Sequence, residues 1–330
     1  MSQHKQYEID VSIIIPVYNG EQFIAKMLNS LEQQTFLDFE VIFVNDGSRD
    51  RSGELLDQAV AAVSSFSVRV IHQENQGVSA ARNVGLREAV GRYVCFVDVD
   101  DLIAVNYLDV LRYALDSTGT RVAASRITRD ECELSQSNTA VVQRINSTDF
   151  LRKFLYQGIQ YHICACMFDR NCFTERDLWF PAGYRYSEDV FVLWQVFAAE
   201  EAIAEVDERL YFYYNNPSSA MNAGIDIRRL DAIELMKKLE PIIAERNAAF
   251  SPEFSRYAVA RHHWSILWQA ASRLDSYRKF KEYCSHFTMK KELVKLLNYP
   301  ELRISASSLL YLLSPFVYYH LLRTYVKIKK

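Results

Sequence analysis

The chain has 330 residues, 49% hydrophobic and 24% charged, with a formal net charge of −3. This is the composition of a soluble globular protein that can bury a sizeable core, as one large or two modest domains. The slight acidity, with no Lys/Arg-rich arm and no zinc-type Cys/His spacing, argues against nucleic acid as a partner.

The N-terminal "MSQHKQYEID" lacks the apolar stretch of a secretory signal, so a cytoplasmic location is expected. From there two periods alternate. "VSIIIPVY" (11–18) is a short apolar run stopped by Asn19-Gly20, as a buried strand stops at a turn. "EQFIAKMLNSLEQQ" (21–34) follows with apolar residues at helical spacing. "FEVIFVND" (39–46) reads as a strand and "SGELLDQAVAAVSS" (52–65) as a helix with Ser48 or Asp50 available to cap it. "VRVIHQ" (68–73), "VSAARNVGLREAV" (78–90), "RYVCFVD" (92–98) and "AVNYLDVLRYAL" (104–115) continue the strand–helix alternation. The cysteines of "HICACMF" read as core thiols. From about 225 only helical spacing remains, over 228–246, 254–274, 279–298 and 306–326. The predicted architecture is therefore α/β: a doubly wound, mostly parallel sheet in residues 1–220 and a helical module in 221–330, with the boundary in "NNPSSAMNAGID" (215–226).

Open parallel sheets bind ligands at the carboxyl ends of their strands. Those ends here are "PVYN", "VNDGS", "QENQG" and "DVDD", all polar or glycine-bearing. The last is the strongest signal. In an extended segment Asp98 and Asp100 share a face, and two or three carboxylates together repel unless a cation or protons intervene. Oxygen ligands suit Mg²⁺ or Mn²⁺, which bridge protein to substrate phosphates. The competing reading makes Asp100 or Asp101 a cap for the next helix. Neither a P-loop nor a G-x-G-x-x-G fingerprint is present, so a nucleotide would be held by a metal bridge and by loop residues.

"SIIIPVYN", "VIFVNDGSRDRS", "ENQGVSAARNVGLREAVGRYVCFVDVDD" and "SEDVFV", in this order, resemble the family 2 glycosyltransferases of GT-A fold over about residues 10–220. The resemblance implies inverting transfer of a sugar from a nucleotide-sugar donor, commonly a uridine one, to a hydroxyl of a glycan or lipid-linked acceptor, with a divalent cation. It implies that Pro16 and Tyr18 line the base pocket and that Asp46 accepts a hydrogen bond from the base. Arg82 would lie towards ribose and phosphates, Asp98 and Val99 against the nucleotide-sugar, and Asp100 on the metal. Asp189 would be the catalytic base, with Glu188 orienting the acceptor. The competing reading of Glu188 and Asp189 is ordinary acidic charge at a helix N-terminus.

Two departures from the family pattern stand out. Asn45 occupies a position where many members carry Asp, and "YFYYNNPSS" (211–219) has Tyr214 at an Arg position, with Ser219 at the Ser position. Tyrosine cannot supply the bidentate charge of arginine to a diphosphate. At the other end, "LLYLLSPFVYYHLLRTYVKIKK" (309–330) suits a helix lying on an anionic membrane surface or one docked on its own module, and Pro315 argues against a span. "RHHW" (261–264) reads as packing, since adjacent histidines on a helix point apart. Bacterial surface polysaccharide or lipopolysaccharide synthesis is the expected setting, on the inner face of the membrane. The alternatives are a sugar-phosphate nucleotidyltransferase and a non-catalytic nucleotide-sugar-binding assembly subunit.

Overall fold

Residues 9–135, 140–156, 161–216 and 225–328 are described in a computed structural model of the chain. The apolar runs of the first hundred residues become β1 (Val11–Val17), β2 (Phe39–Asp46), β3 (Ser67–Gln73) and β4 (Tyr93–Phe96). The amphipathic segments between them are α1 (Glu21–Glu32), α2 (Ser52–Ala62) and α3 (Val78–Glu88). These four strands run parallel in the order β3-β2-β1-β4, with Val11 opposite both Phe39 and Tyr93. β1 and β2 are buried along their whole length, which is why they read as continuous apolar runs rather than alternating ones. Gly85 lets α3 lie directly on β1: a Cβ there would stand 2.3 Å from Ile14 Cγ2.

Beyond β4 the sheet becomes mixed. β5 (Leu102–Ile103), α4 (Tyr107–Thr118), β6 (Val122–Thr128), β7 (Val142–Asn146), α5 (Ser147–Tyr156), β8 (Cys166–Asp169), α6 (Asn171–Thr174), α7 (Glu188–Ala199) and β9 (Ala202–Phe212) follow in turn. β8 inserts antiparallel between β4 and β6, and β9 pairs parallel with β6 and antiparallel with β5 and β7. The helix predicted to start at 104 begins at Tyr107, because 102–103 are drawn into the sheet edge. Cys164 and Cys166 are free, buried thiols, as their apolar setting suggested.

Packing gathers the described residues into two compact units: one of residues up to 150, 161–183 and 199–216, the other of 151–156, 184–198 and 225–328. The expected boundary at 215–226 falls mostly outside the described residues. The second unit contains α8 (Leu230–Arg246), α9 (Ser251–Arg273), α10 (Tyr277–Cys284), α11 (Met289–Leu293), α12 (Leu302–Leu313) and α13 (Pro315–Ile328). Helical spacing over 279–298 and 306–326 thus hides breaks, the second at Ser314, after which Pro315 opens a new helix where its missing N–H costs nothing. Aromatic rings dominate the packing: Trp194 stacks on Phe250 at 5.7 Å and meets Phe254 edge-on at 5.2 Å. His262 and His263 each turn Nδ1 back to the carbonyl four residues earlier, and Trp264 Nε1 donates to Ser307, so "RHHW" packs. No helix among the described residues is long and apolar enough to cross a membrane.

Candidate active site

The loops after β1 and β2 are tied to one another. The Asn19 N–H donates to Ser48 Oγ at 3.0 Å, the Arg49 N–H to Asn19 Oδ1 at 2.8 Å, and the Gly20 N–H to Ser52 Oγ at 2.9 Å. Asn19 reaches this position with φ of 51°, in the left-handed region that asparagine tolerates better than most residues. Asp50 accepts from the backbone and hydroxyl of Ser52, but the cap position of α2 falls on Arg51, which makes no side-chain cap hydrogen bond, so neither Ser48 nor Asp50 is the cap. Of the pair expected to line a base pocket, Pro16 is buried in β1 opposite Val44, while Tyr18, just past the strand, is 47% exposed.

Asp46 ends β2 and organises the loop after β3. Its Oδ1 accepts from Gln73 Nε2 at 2.7 Å and from the Gln76 N–H at 2.9 Å, and Oδ2 from the Gly77 N–H at 2.8 Å. A carboxylate offers about four acceptor positions, so one remains for a donor on a ligand. Gly47 must follow it: φ is 67°, and a Cβ would stand 2.7 Å from the Asn75 nitrogen.

β4 stops at Phe96, and "DVDD" forms a turn closed by Asp101 N–H to the Asp98 carbonyl at 3.1 Å. The extended segment expected for Asp98 and Asp100 is therefore replaced by a turn, which separates the duties of the three carboxylates. Asp98 Oδ1 accepts from Arg82 Nη2 at 2.8 Å, and Arg82 itself lies buried on α3 with Phe180 beneath it. Val99 packs over Gly20, where a Cβ would come within 3.0 Å of it. Asp100 Oδ2 accepts from Asn216 Nδ2 at 2.9 Å. Burial raises the Asp100 carboxyl above its usual range, opposed by the Asn216 bond and reinforced by the Asp98 charge. Asp101 is the most buried of the three and accepts from the Tyr211 hydroxyl at 2.5 Å and the Tyr214 N–H at 2.7 Å. Burial, then the charge of Asp98, raises its pKa further. Neither Asp100 nor Asp101 caps a helix, because α4 starts only after Asn106, and the capping alternative fails.

The partners of this turn were not legible in the sequence. Tyr211 joins Asp101 to the Asp98 N–H (3.2 Å), and Asn216 holds Asp100. His162 lies 6.4 Å from the Tyr211 ring and 5.7 Å from the Tyr213 ring, with the Arg129 guanidinium 5.6 Å from Tyr213. The available signal was the alternation of Tyr211 and Tyr213, which puts both on one face of an extended run. Tyr214, at the family's Arg position, sets its ring edge-on to Phe23 at 5.8 Å, and Ser219 lies outside the described residues.

Glu188 and Asp189 belong to the second unit and open α7, Glu188 buried and Asp189 half-buried, its Oδ1 accepting from the Val190 N–H at 2.8 Å. Ser187 before them has φ of 66°.

Among the described residues no three or more His, Cys, Asp or Glu side chains converge as a metal cage. The acidic turn nevertheless fits a cation of the Mg²⁺ or Mn²⁺ kind, which takes one or two carboxylates and completes its shell with water and substrate phosphates. Asp98 and Asp100 would hold it, since both Asp101 oxygens are already engaged within the protein.

The sequence model described as Glycosyl transferase family 2 matches residues 12–175. The uncharacterized glycosyltransferase EpsJ of Bacillus subtilis (strain 168) is 34% identical over 217 residues, 63% of this chain and 62% of EpsJ. The chain thus spans less than two thirds of that relative's length. The uncharacterized glycosyltransferase YibD of Escherichia coli (strain K12) is 30% identical over 262 residues, 74% of each chain. Among solved structures, Staphylococcus aureus TarS 1-349 in complex with UDP-GlcNAc superposes with a TM-score of 0.67 at 19% identity, covering 98% of this chain and 93% of that one. Mannosyltransferase PcManGT from Pyrobaculum calidifontis, in complex with GDP-Man and Mn²⁺, gives 0.56 at 16% identity, over 98% and 88%. With its strand order, its acidic turn and these matches, the chain belongs to glycosyltransferase family 2 and has the GT-A fold.

Proposed function

We propose that the protein transfers a sugar, with inversion, from a nucleoside diphosphate sugar to a hydroxyl of a glycan or lipid-linked acceptor. The observation that carries this reading is the acidic turn Asp98–Asp101 at the carboxyl edge of the parallel strands, held in place by Arg82, Tyr211 and Asn216. The TarS and PcManGT complexes, with UDP-GlcNAc and with GDP-Man and Mn²⁺, support a nucleotide-sugar donor and a divalent cation. Uridine is the favoured base. When bound, the cation would neutralise charge developing on the departing diphosphate.

The chain's own residues have the following roles. Asp46, with an acceptor position left, takes a donor on the base; Pro16 and Tyr18 border it. Arg82 fixes Asp98 beside the nucleotide-sugar, with Val99 and Gly20 as the floor. Asp189 accepts the acceptor hydroxyl's proton as that oxygen bonds to the anomeric carbon, and the bond to the diphosphate breaks with its electron pair leaving on the nucleoside diphosphate. Glu188 orients the acceptor.

Anionic membrane is the proposed docking surface. One face of α13 is buried through Tyr318, Tyr319 and Leu322, while Phe316, Val317, Leu321, Tyr325 and Ile328 are exposed beside Lys327. An apolar face with lysine at its end suits an anionic bilayer. Leu321→Glu should release the protein from vesicles containing anionic lipid without changing its fold. Equal binding of both forms would remove this docking mode.

The test of the transferase reading is calorimetry and donor turnover across nucleotide sugars. Wild type should bind one donor more tightly with Mn²⁺ and slowly release nucleoside diphosphate. Asp100→Ala should lose the Mn²⁺ dependence. No cation-assisted uptake of any donor sinks the reading.

A further inference from the structure

Arg229 closes the short turn Ile227–Arg229 ahead of α8 and is 4% exposed. Among the described residues neither Nε nor Nη2 of its side chain has a hydrogen-bond partner. Its guanidinium lies 4.8 Å from the centre of the buried Tyr186 ring, a contact that leaves the in-plane donors unused. Of the two carboxylates nearest in sequence, Asp231 takes the Arg185 N–H on Oδ2 at 2.9 Å, and Asp226 is committed to Arg228. Its Oδ1 takes the Arg228 N–H at 3.0 Å and its Oδ2 takes Arg228 Nε at 2.6 Å, with Arg185 Nη1 at 3.9 Å. Burial lowers the Arg229 pKa; the Tyr186 ring opposes this and the like charge of Arg273 adds to it.

A buried guanidinium without a hydrogen-bonded anion is costly, and folds rarely keep one unless something else requires it. Its planar fork matches a tetrahedral oxyanion better than a point charge does. The ring against it belongs to Tyr186, two residues before Glu188, and Ser187 between them carries the unfavourable φ of 66°. Strain and unpaired charge thus meet beside the motif to which acceptor chemistry has been assigned.

We propose that Arg229, set against the Tyr186 ring, is a binding site for a phosphate group, carried by either the acceptor or the donor. The site itself stands on the geometry; the identity of the carrier rests on the transferase reading.

The experiment uses the full chain, with calorimetry and thermal unfolding in the presence of pyrophosphate, glycerol phosphate, or UDP with Mn²⁺. Variants Arg229→Gln and Arg229→Met are compared with wild type. The expected result has two parts. At least one probe binds wild type and loses at least tenfold in affinity in both variants, and ligand-free Arg229→Met melts no lower than wild type. A loss confined to UDP assigns the phosphate to the donor; a loss confined to glycerol phosphate assigns it to the acceptor. Unchanged affinities in folded variants, or no binding to wild type, overturn the proposal. So does a lower Tm in Arg229→Met with affinities intact, which would make Arg229 a structural cation on Tyr186. Donor turnover by wild type, measured in parallel, keeps the two readings apart. Turnover without an Arg229 effect sinks only this site, and phosphate binding at Arg229 without turnover sinks only the transferase reading.

Discussion

Asp101 in the sheet unit and Arg229 in the helical unit are equally inaccessible, yet their surroundings are opposite. Asp101 receives a hydroxyl from Tyr211 and an N–H from Tyr214, so its burial ties the end of β9 to the turn after β4. The Nε and Nη2 of Arg229 have no hydrogen-bond partner among the described residues. A buried polar group satisfied by protein donors stabilises the architecture that presents it, whereas one left unsatisfied weakens it. The sheet unit therefore keeps its acidic turn shaped whether or not a ligand is present. In the helical unit, charge is held at the expense of the fold. Substitutions at the two kinds of position should differ in sign as well as in size.

The largest expected effect lies in function without stability. Asp189→Asn should lower transfer by about 10²–10⁴-fold, the range for loss of a general base, while donor affinity and Tm stay close to wild type. A large Tm loss would mean that Asp189 is a structural acid of the kind Asp101 is, and the contrast between the units would break. Next comes Asp101→Ala. It strands the Tyr211 hydroxyl and the Tyr214 N–H in a dry setting, for a loss of about 2–4 kcal/mol by chemical denaturation, and donor binding falls with it. Tyr211→Phe removes one of those donors and the acceptor for the Asp98 N–H, and should cost about 1–2 kcal/mol. Neutral results at both positions would show that the tie around Asp101 does not hold the turn.

What could be read from the chain beforehand follows the same division. β1 to β4 and the helices between them announce themselves because each is built from neighbours in sequence and shows one period clearly. β8 and β9 take their places by pairing across the sheet, β8 between β4 and β6, and β9 beside β5, β6 and β7, and no local period encodes that. The acidic turn was legible as a concentration of charge, and its place at the carboxyl edge of the parallel strands followed from the alternation. Its internal assignment was not legible. That Asp98 meets Arg82 while Asp101 meets Tyr211 depends on a turn at 98–101 and on residues 16 and 110 positions away. Asp46 shows the same limit, since "VND" marks a strand end but not the three donors from residues 73–77 that converge on it. Arg229 was invisible for a different reason. Helical spacing over 228–246 takes in Arg229 without marking its side chain as buried, and only the packed helices reveal that it is enclosed.

The smallest effect concerns a third buried titratable group, and it tests whether the helical unit holds a second buried cation beside Arg229. His263 is buried with both ring nitrogens engaged, Nδ1 with the Val259 carbonyl at 2.9 Å and Nε2 with Thr288 Oγ1 at 3.2 Å. That pairing fits the neutral ring, with Nδ1 donating and Nε2 accepting. Burial lowers the pKa of His263 below its usual value, and burial likewise holds His262 to about 4. The sign follows from linkage. As pH falls through about 6.5 the unfolded chain takes up protons that the folded one refuses, so stability is lost on the acid side and kept above it. Between pH 7.5 and 5.5 the Tm should fall by about 2–4 °C on this account, and the slope should shrink in His263→Gln whatever that variant's own Tm. Equal slopes in the two proteins would mean that the ring already charges inside the fold. The helical unit would then hold two uncompensated cations rather than one, and Arg229 would lose its singular standing.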